Sequence, residues 1–268
     1  GMYLALAQLL SSSPEATATA ERYSNQINHS INNDFLLLTK EERDFYWKHY
    51  RYYLPMFNWM MSEDPTKLGC IYNNVIQAKG MLLRTYKEIQ DAILSASDST
   101  MRKKYLHLQE LRNELNANAD TNIALCLRDS IETLDRELTT KLKLKKKQTT
   151  WEDIRNALGN NEVAIEFTNI PRPMKLDSIQ KLTGEPRYCA LILKKSYDKP
   201  HLIELFTEEQ FDAIPDSSYY TSSRLYQLFW APISQEIGSA SVVYYSPDRY
   251  MSSVAFENIL STEEMVQD

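Results

Sequence analysis

Glycine is scarce in this sequence, with six in 268 residues, and the six are scattered. A glycine-rich loop that could cradle phosphates is therefore excluded. Three cysteines and four histidines lack the spacing of a zinc site, and the odd cysteine count indicates a reducing compartment. No apolar run approaches the roughly 18 residues that a membrane span requires. We expect a cytoplasmic protein with no metal, no cofactor and no membrane as partner.

The composition is that of a globular protein, with 43% apolar and 25% charged residues. The net charge of −6 gives no global attraction to nucleic acid, so none is expected as a partner. Composition changes once, near residues 148–151, where glycine, proline and β-branched residues become more frequent. We predict three regions: a tetratricopeptide-like helical region at 2–68, a long amphipathic helical hairpin or linker helices at 69–148, and an α/β domain at 149–268.

The first region contains a helix–turn–helix of tetratricopeptide size without a clean 34-residue period. Pro14 suits a first helical position, and Thr39 and Glu42 have capping-box spacing before the next helix. Aromatic residues interleaved with Lys48 and Arg51 in that helix suit either stacking on single-stranded bases or packing between helices. The acidic net charge favours packing. These aromatics are Phe45, Tyr46, Trp47, Tyr50, Tyr52, Tyr53, Phe57 and Trp59.

Three apolar stripes with helical spacing follow, and they predict a helical packing surface. Their first and last members are Val75 and Ile93, Met101 and Leu115, and Ile123 and Leu142. SASDST and NANADT separate the stripes. A run of lysines between 141 and 147 reads as a solvated helix end rather than a phosphate-binding site.

The α/β region begins with a short helix that Thr150 caps and Gly159 ends. An alternating strand at 163–168 with one buried face is predicted next. RYCALILKK is predicted to be a central strand, followed by an SYDKP hairpin turn and the strand HLIELF. TEEQFDAI is then predicted to form a short helix, and SSRLYQLFWAPISQEI a longer helix that Pro232 divides. The last predicted elements are the strand SVVYYS, an SPDR turn and the extended segment YMSSVAF. We predict an α + α/β protein whose sheet is incomplete at residue 268.

Cys189 and His201 form the one thiol–imidazole pair that invites a catalytic interpretation. If SYDKP closes a hairpin, His201 pairs near Lys195, which places it roughly 20 Å from Cys189 along the strands. We therefore expect Cys189 to be an apolar core residue and assign no catalytic residue.

The order of the motifs resembles the approach to a CHAT domain, a caspase-like domain attached to tetratricopeptide repeats in bacteria. The motifs are YNNVIQAKGMLLRTYKEI, ELRNEL, LRDSIETLDREL, TWEDIRNALGNNEVAIEF, RYCALILKK, DKPHLIELFTEEQ, LYQLFWAPISQEI and YYSPDRYMSSVAFENIL. They cover about 70–268. One departure is Arg249, which stands where a glycine is usual after the SPD turn.

The resemblance implies a clan CD-type cysteine peptidase that uses a His–Cys dyad on loops beyond these motifs. No histidine follows His201 and no cysteine follows Cys189. The chain is therefore expected to be an inert N-terminal portion with an incomplete caspase-like layer. Its helical repeats are expected to bind a protein or peptide partner, and a dimer through exposed apolar surface or a sheet edge is expected. The alternative is a non-enzymatic helical-repeat scaffold.

Overall fold

The computed structural model describes residues 14–117, 121–142, 149–171, 186–248, 251–252 and 254–259. The helices of the first half are α1 (Pro14–Asn33), α2 (Lys40–Met61), α3 (Leu68–Ala78), α4 (Met81–Ser95), α5 (Ser99–Ala117) and α6 (Thr121–Leu142). The second half contains α7 (Trp151–Ala157), β1 (Glu162–Pro171), β2 (Pro186–Lys194), β3 (His201–Thr207), α8 (Glu208–Asp212), α9 (Arg224–Phe229), α10 (Ser234–Ile237) and β4 (Val242–Ser246). The predicted α + α/β class is confirmed: helices predominate and the described strands form one small mixed sheet.

Pro14 is the first described residue of α1, so its predicted place at a helix start stays a prediction. Two other predicted helix starts are confirmed by single hydrogen bonds. The Thr39 backbone N–H donates to the Glu42 carboxylate at 2.8 Å, and the Glu42 backbone N–H donates to the Thr39 hydroxyl at 3.4 Å. Thr150 and Asp153 form the same reciprocal capping box at α7. These side chains satisfy backbone donors that a helix start leaves without intrahelical partners.

The described chain divides into two compact units. The sheet unit comprises residues 14–24, 53–76 and those from 149 onward, and the helical unit comprises 25–52, 77–117 and 121–142. Helices α1, α2 and α3 therefore each contribute residues to both units. The predicted division at 2–68, 69–148 and 149–268 follows chain order and stays a prediction. No helix in the described residues has the length and apolarity needed to cross a bilayer.

The core of the helical unit lies along the predicted apolar seam of α4, α5 and α6. Its buried members there are Ile89, Ile93, Met101, Leu108, Ile131 and Leu138. Ile123 was predicted to belong to the seam and is instead 44% exposed. It lies in the first turn of α6, shortly after residues 118–120, which are outside the described residues.

A buried arginine is the most unusual feature of the helical unit. Arg43 on α2 is 2% exposed, and its guanidinium donates to the carbonyls of Leu38 and Phe35. The Cζ atom of its guanidinium lies 5.1 Å from the centre of the Tyr86 ring, a cation–π contact. Burial lowers the pKa of Arg43, whereas the charge of Asp135 raises it. The cation therefore depends on a nearby carboxylate for compensation.

That carboxylate, Asp135 on α6, is itself 4% exposed. It accepts a hydrogen bond from the Lys40 backbone N–H at 2.6 Å, and Arg112 approaches it at 3.3 Å. Asp135 thus provides a negatively charged hydrogen-bond acceptor at the first turn of α2, where negative charge is favoured, and it also pairs with the guanidinium of Arg112.

The four described strands of the sheet unit lie in the order β3-β2-β1-β4. β1–β2 and β2–β3 are antiparallel, and β1–β4 is parallel. RYCALILKK therefore forms an interior strand, as predicted. β1 was predicted to bury one face, yet Ala164 and Thr168 on its second face are 6% and 5% exposed. Both faces of β1 are buried, as is usual for a strand next to a parallel neighbour.

One face of the sheet carries the aromatic core of this unit. Its buried residues include Phe167, Tyr188, Phe206, Phe211, Phe229 and Phe256. Pro232 divides the last predicted helix, since α9 ends at Phe229, a 3₁₀ turn spans Ala231–Ile233, and α10 follows.

The segment YMSSVAF was predicted to be extended, and this is wrong for Met251, Ser252 and Phe256, although the backbone of Ala255 is extended. Residues 251–252 and 256–258 form 3₁₀ turns. Met251 and Val254 are both buried in the core that contains Phe256. Residues three apart point to opposite faces of a strand but to one side of a helical turn, so the turn buries both side chains together.

Candidate functional site

Cys189 was predicted to be non-catalytic because the pairing of β2 with β3 would place it far from His201. The observed register of that pairing differs from the predicted one. His201 pairs with Ile192 rather than near Lys195. Cys189 is thus three positions from the partner of His201, or about 10 Å along the strand instead of 20 Å. An odd offset also places the two side chains on opposite faces of the sheet. The thiol is 2% exposed, so the structure does not bring this pair together.

The other two thiols have different surroundings. Cys70 on α3 is partly buried, and burial raises the pKa of its thiol to about 11. A thiol with so high a pKa is protonated at neutral pH and is a poor nucleophile. Cys126 on α6 is exposed. The described residues also contain no group of three or more His, Cys, Asp or Glu side chains arranged to hold a metal ion.

We expect alkylation of the native protein with iodoacetamide at pH 7.5 to modify Cys126 rapidly and to leave Cys70 and Cys189 unmodified. Access favours Cys126, whereas protonation protects Cys70 and burial protects Cys189. Peptide mass spectrometry over a time course measures the three rates. The Cys126→Ser variant is the control and should lose the fast phase. Native-state labelling of Cys189 at the rate of Cys126 would contradict its placement in the core.

Two features were predicted to be structural, although binding was the alternative for each: the aromatic helix and the lysine run. Within the predicted aromatic helix, Phe57 is buried, whereas Phe45 and Tyr52 are each 60% exposed. Packing between helices therefore accounts for part of that aromatic set. In the lysine run, Lys141 approaches Glu137 at 3.2 Å, and residues 143–148 lie outside the described residues.

The exposed edge at β4 is the candidate binding site in the sheet unit. β4 pairs with β1 in parallel from Glu162–Val242 to Glu166–Ser246, and it ends the order of described strands. Val242, Tyr244 and Tyr245 are 40%, 52% and 42% exposed. A strand at such an edge presents alternate N–H and C=O groups outward, where another strand can bind them.

The two edges of the sheet differ in how they are protected. β3 carries His201 and Glu204, and an irregularity at Tyr188/Cys189 interrupts its pairing with β2. Charges and bulges of this kind disfavour further strand pairing. β4 has the sequence VVYYS, with no charged residue and no proline. Of the two edges, β4 is the one whose chemistry suits an added strand.

A cluster of polar groups lies on the core face of the sheet and was missed by sequence reasoning. The Tyr197 hydroxyl donates to Oε2 of Glu236, and Nδ1 of His201 lies 3.2 Å from Oε1 of the same carboxylate. The Tyr197 and His201 rings stack with centroids 4.1 Å apart. Lys194 Nζ lies 5.4 Å from the centre of the Tyr197 ring. We call Tyr197, His201 and Glu236 the hairpin–helix cluster.

Electrostatics within this cluster favour the ionised carboxylate. Burial raises the pKa of Glu236, but hydrogen bonds from Tyr197 and His201 and the charges of His201 and Lys194 outweigh it and lower the pKa. Burial raises the pKa of Tyr197, and the hydrogen bond to Glu236 and its charge raise it further. Tyr197 is therefore a neutral donor to a charged acceptor, which is the stronger kind of hydrogen bond. Sequence offered no signal for it because Glu236 is 35 residues from His201.

Comparison of the chain with models of protein families, with curated proteins and with solved structures found no match. The likeness to CHAT domains therefore stays an expectation drawn from sequence motifs.

Proposed function

We propose that this chain is the N-terminal portion of a caspase-like protein of the CHAT type and is inert by itself. Its helices recognise a protein or peptide partner, and its sheet supplies the first strands of the caspase-like layer. The observation that carries the proposal is that β4 is the outermost of the described strands on its side of the sheet and that its uncharged residues are exposed, whereas both faces of the neighbouring β1 are buried.

The direction of pairing supports a further strand of the same layer as the occupant of this edge. β4 lies parallel to β1, and parallel strands are normally covered on both sides by neighbours and by helices. Val242 and Tyr244 are 40% and 52% exposed, whereas parallel strands are usually buried on both faces. The YYSPDRYMSSVAFENIL motif, which begins within β4, belongs to the part of the sequence that resembles the caspase-like family. We therefore assign the edge to a strand from the parent polypeptide.

The placement of thiols and imidazoles supports the inert role. Cys189 and His201 lie on opposite sheet faces, and the Cys70 thiol has a raised pKa. A cysteine peptidase needs a thiolate within hydrogen-bond reach of its imidazole. The catalytic pair of the parent is accordingly proposed to come from residues outside this chain.

We test this by expressing the complete coding sequence of the parent gene beside the present chain and comparing amide exchange in β4. In the longer product, the outward-facing amides of 242–245 should become protected at concentrations where it is monomeric. Its peptidase activity should survive Cys189→Ala and disappear when a cysteine beyond residue 268 is replaced. Identical β4 exchange in both proteins, or protection that arises only on self-association, would overturn the proposal.

A non-enzymatic scaffold is the second candidate, favoured by the separation of Cys189 from His201. It predicts that the complete product binds a partner but cleaves no member of a peptide library, whichever cysteine is replaced. Peptide cleavage that depends on any cysteine of the complete product would exclude it.

A further inference from the structure

We infer that the hairpin–helix cluster of Tyr197, His201 and Glu236 is a latch that sets the position of β4 and so controls whether the β4 edge can accept a strand. This inference rests on the proposed function, because it concerns the regulation of the same edge.

The cluster joins the two edges of the sheet. Tyr197 lies in the connection between β2 and β3, and His201 is the first residue of β3. Glu236 lies in α10, a helix of four residues that precedes β4. β3 and β4 are the outer strands of the order β3-β2-β1-β4. The hydrogen bonds to Glu236 therefore connect the start of one edge strand to the helix that leads into the other.

Strand register places this connection at the end of the sheet where β4 begins. Val242 pairs with Glu162, the first residue of β1, and the next residue, Val163, pairs with Lys194 at the end of β2. His201 pairs with Ile192 near the same end. The cluster thus acts on the entry of β4 rather than on its far end.

The link between the latch and the strand is short and geometrically restricted. Gly238 ends α10 with φ 55° and ψ −129°, a conformation that L side chains rarely adopt. Three residues later the Ser241 N–H donates to the Asn161 carbonyl at 2.9 Å, immediately before β4. A shift of α10 is transmitted over Gly238–Ser241 to the hydrogen bonds between β4 and β1, because few intervening residues can absorb it.

The groups that face Glu236 are Tyr197, His201 and Lys194, and together they make the latch sensitive to acid. The folded-state pKa of Glu236 is lowered, so its stabilising contribution is present above the ordinary carboxyl range. That contribution is lost as pH falls through the lower folded value. Acid opens the latch by protonating Glu236, and Tyr197 remains a neutral donor throughout.

The test is amide exchange of the full chain, measured residue by residue by NMR as protection factors. We expect Glu236→Gln to lower the protection of those 242–246 amides that bind β1 by about tenfold, the scale of replacing a charged hydrogen-bond acceptor with a neutral one. Tyr197→Phe should act in the same direction. Ala190 and Leu191 in β2 are the internal reference and should be unchanged. Glu209→Gln, at an exposed position of α8, is the matched control and should leave β4 as in the wild type.

Two outcomes would overturn the latch. Loss of protection at β2 to the same extent as at β4 would show that Glu236 stabilises the whole unit. Altered exchange in 201–207 with unchanged β4 would show a purely local contact. Acidification should lower β4 protection in the wild type but not further in Glu236→Gln. All of these measurements use the present chain alone. A negative result for the latch can therefore be told apart from a negative result for the proposed function, which is tested by β4 protection in the longer product.

Discussion

Replacing Asp135 with alanine is expected to lower the free energy of unfolding by about 3–5 kcal/mol, the usual cost of leaving a buried charge without its partner. The carboxylate is 4% exposed and is the compensating charge for Arg43, which is 2% exposed. The substitution also removes the acceptor of the Lys40 N–H and the partner of Arg112. Urea denaturation followed by circular dichroism measures the loss.

The matched control for Asp135 is Glu132→Ala, one turn earlier on α6. The Glu132 side chain is 55% exposed and pairs with Arg136 at 3.0 Å. An exposed pair of this kind contributes about 0–1 kcal/mol. If Asp135→Ala and Glu132→Ala destabilise the protein equally, the buried network does not carry the energy assigned to it.

Replacing Phe229 with alanine is expected to destabilise the sheet unit by about 3–5 kcal/mol, since the cavity adds to the lost transfer free energy. The ring is fully buried, and its centroid lies 4.8 Å from Phe206 and 5.1 Å from Phe256. It also contacts Phe167 and Phe211 edge-on. Thermal unfolding monitored by near-ultraviolet circular dichroism reports the loss of this aromatic cluster.

Phe45→Ala provides the comparison, because that ring is 60% exposed. Surface substitutions usually change stability by no more than about 0.5 kcal/mol. A loss at Phe229 no larger than at Phe45 would contradict the position of the aromatic core.

Local patterns predicted much of the secondary structure because their causes are local. The capping boxes at Thr39 and Thr150 each join residues three apart, and Pro232 interrupts a helix through its own ring. The interior position of RYCALILKK followed from its continuous apolar run. Each of these signals lies within about ten residues of the feature it predicts.

The errors arose where position depends on distant residues. The hairpin register was wrong because the chain between β2 and β3 takes up more residues than the SYDKP turn requires, with Tyr197 stacked on His201. No local pattern singled out Asp135, since its partner Lys40 is 95 residues away. SVVYYS was correctly predicted as a strand, but its edge position depends on strand order, which no local pattern specifies.

The central claim is that β4, the last strand in the order of the described strands, is an open edge. Its most direct test is the exchange of the 242–245 amides in a dilute solution of this chain, resolved residue by residue. The account predicts alternation, with amides that face β1 exchanging slowly and those that face outward exchanging at nearly the rate of an unfolded peptide. Uniformly slow exchange along the whole strand at that dilution would contradict it, because every N–H of β4 would then already have a partner.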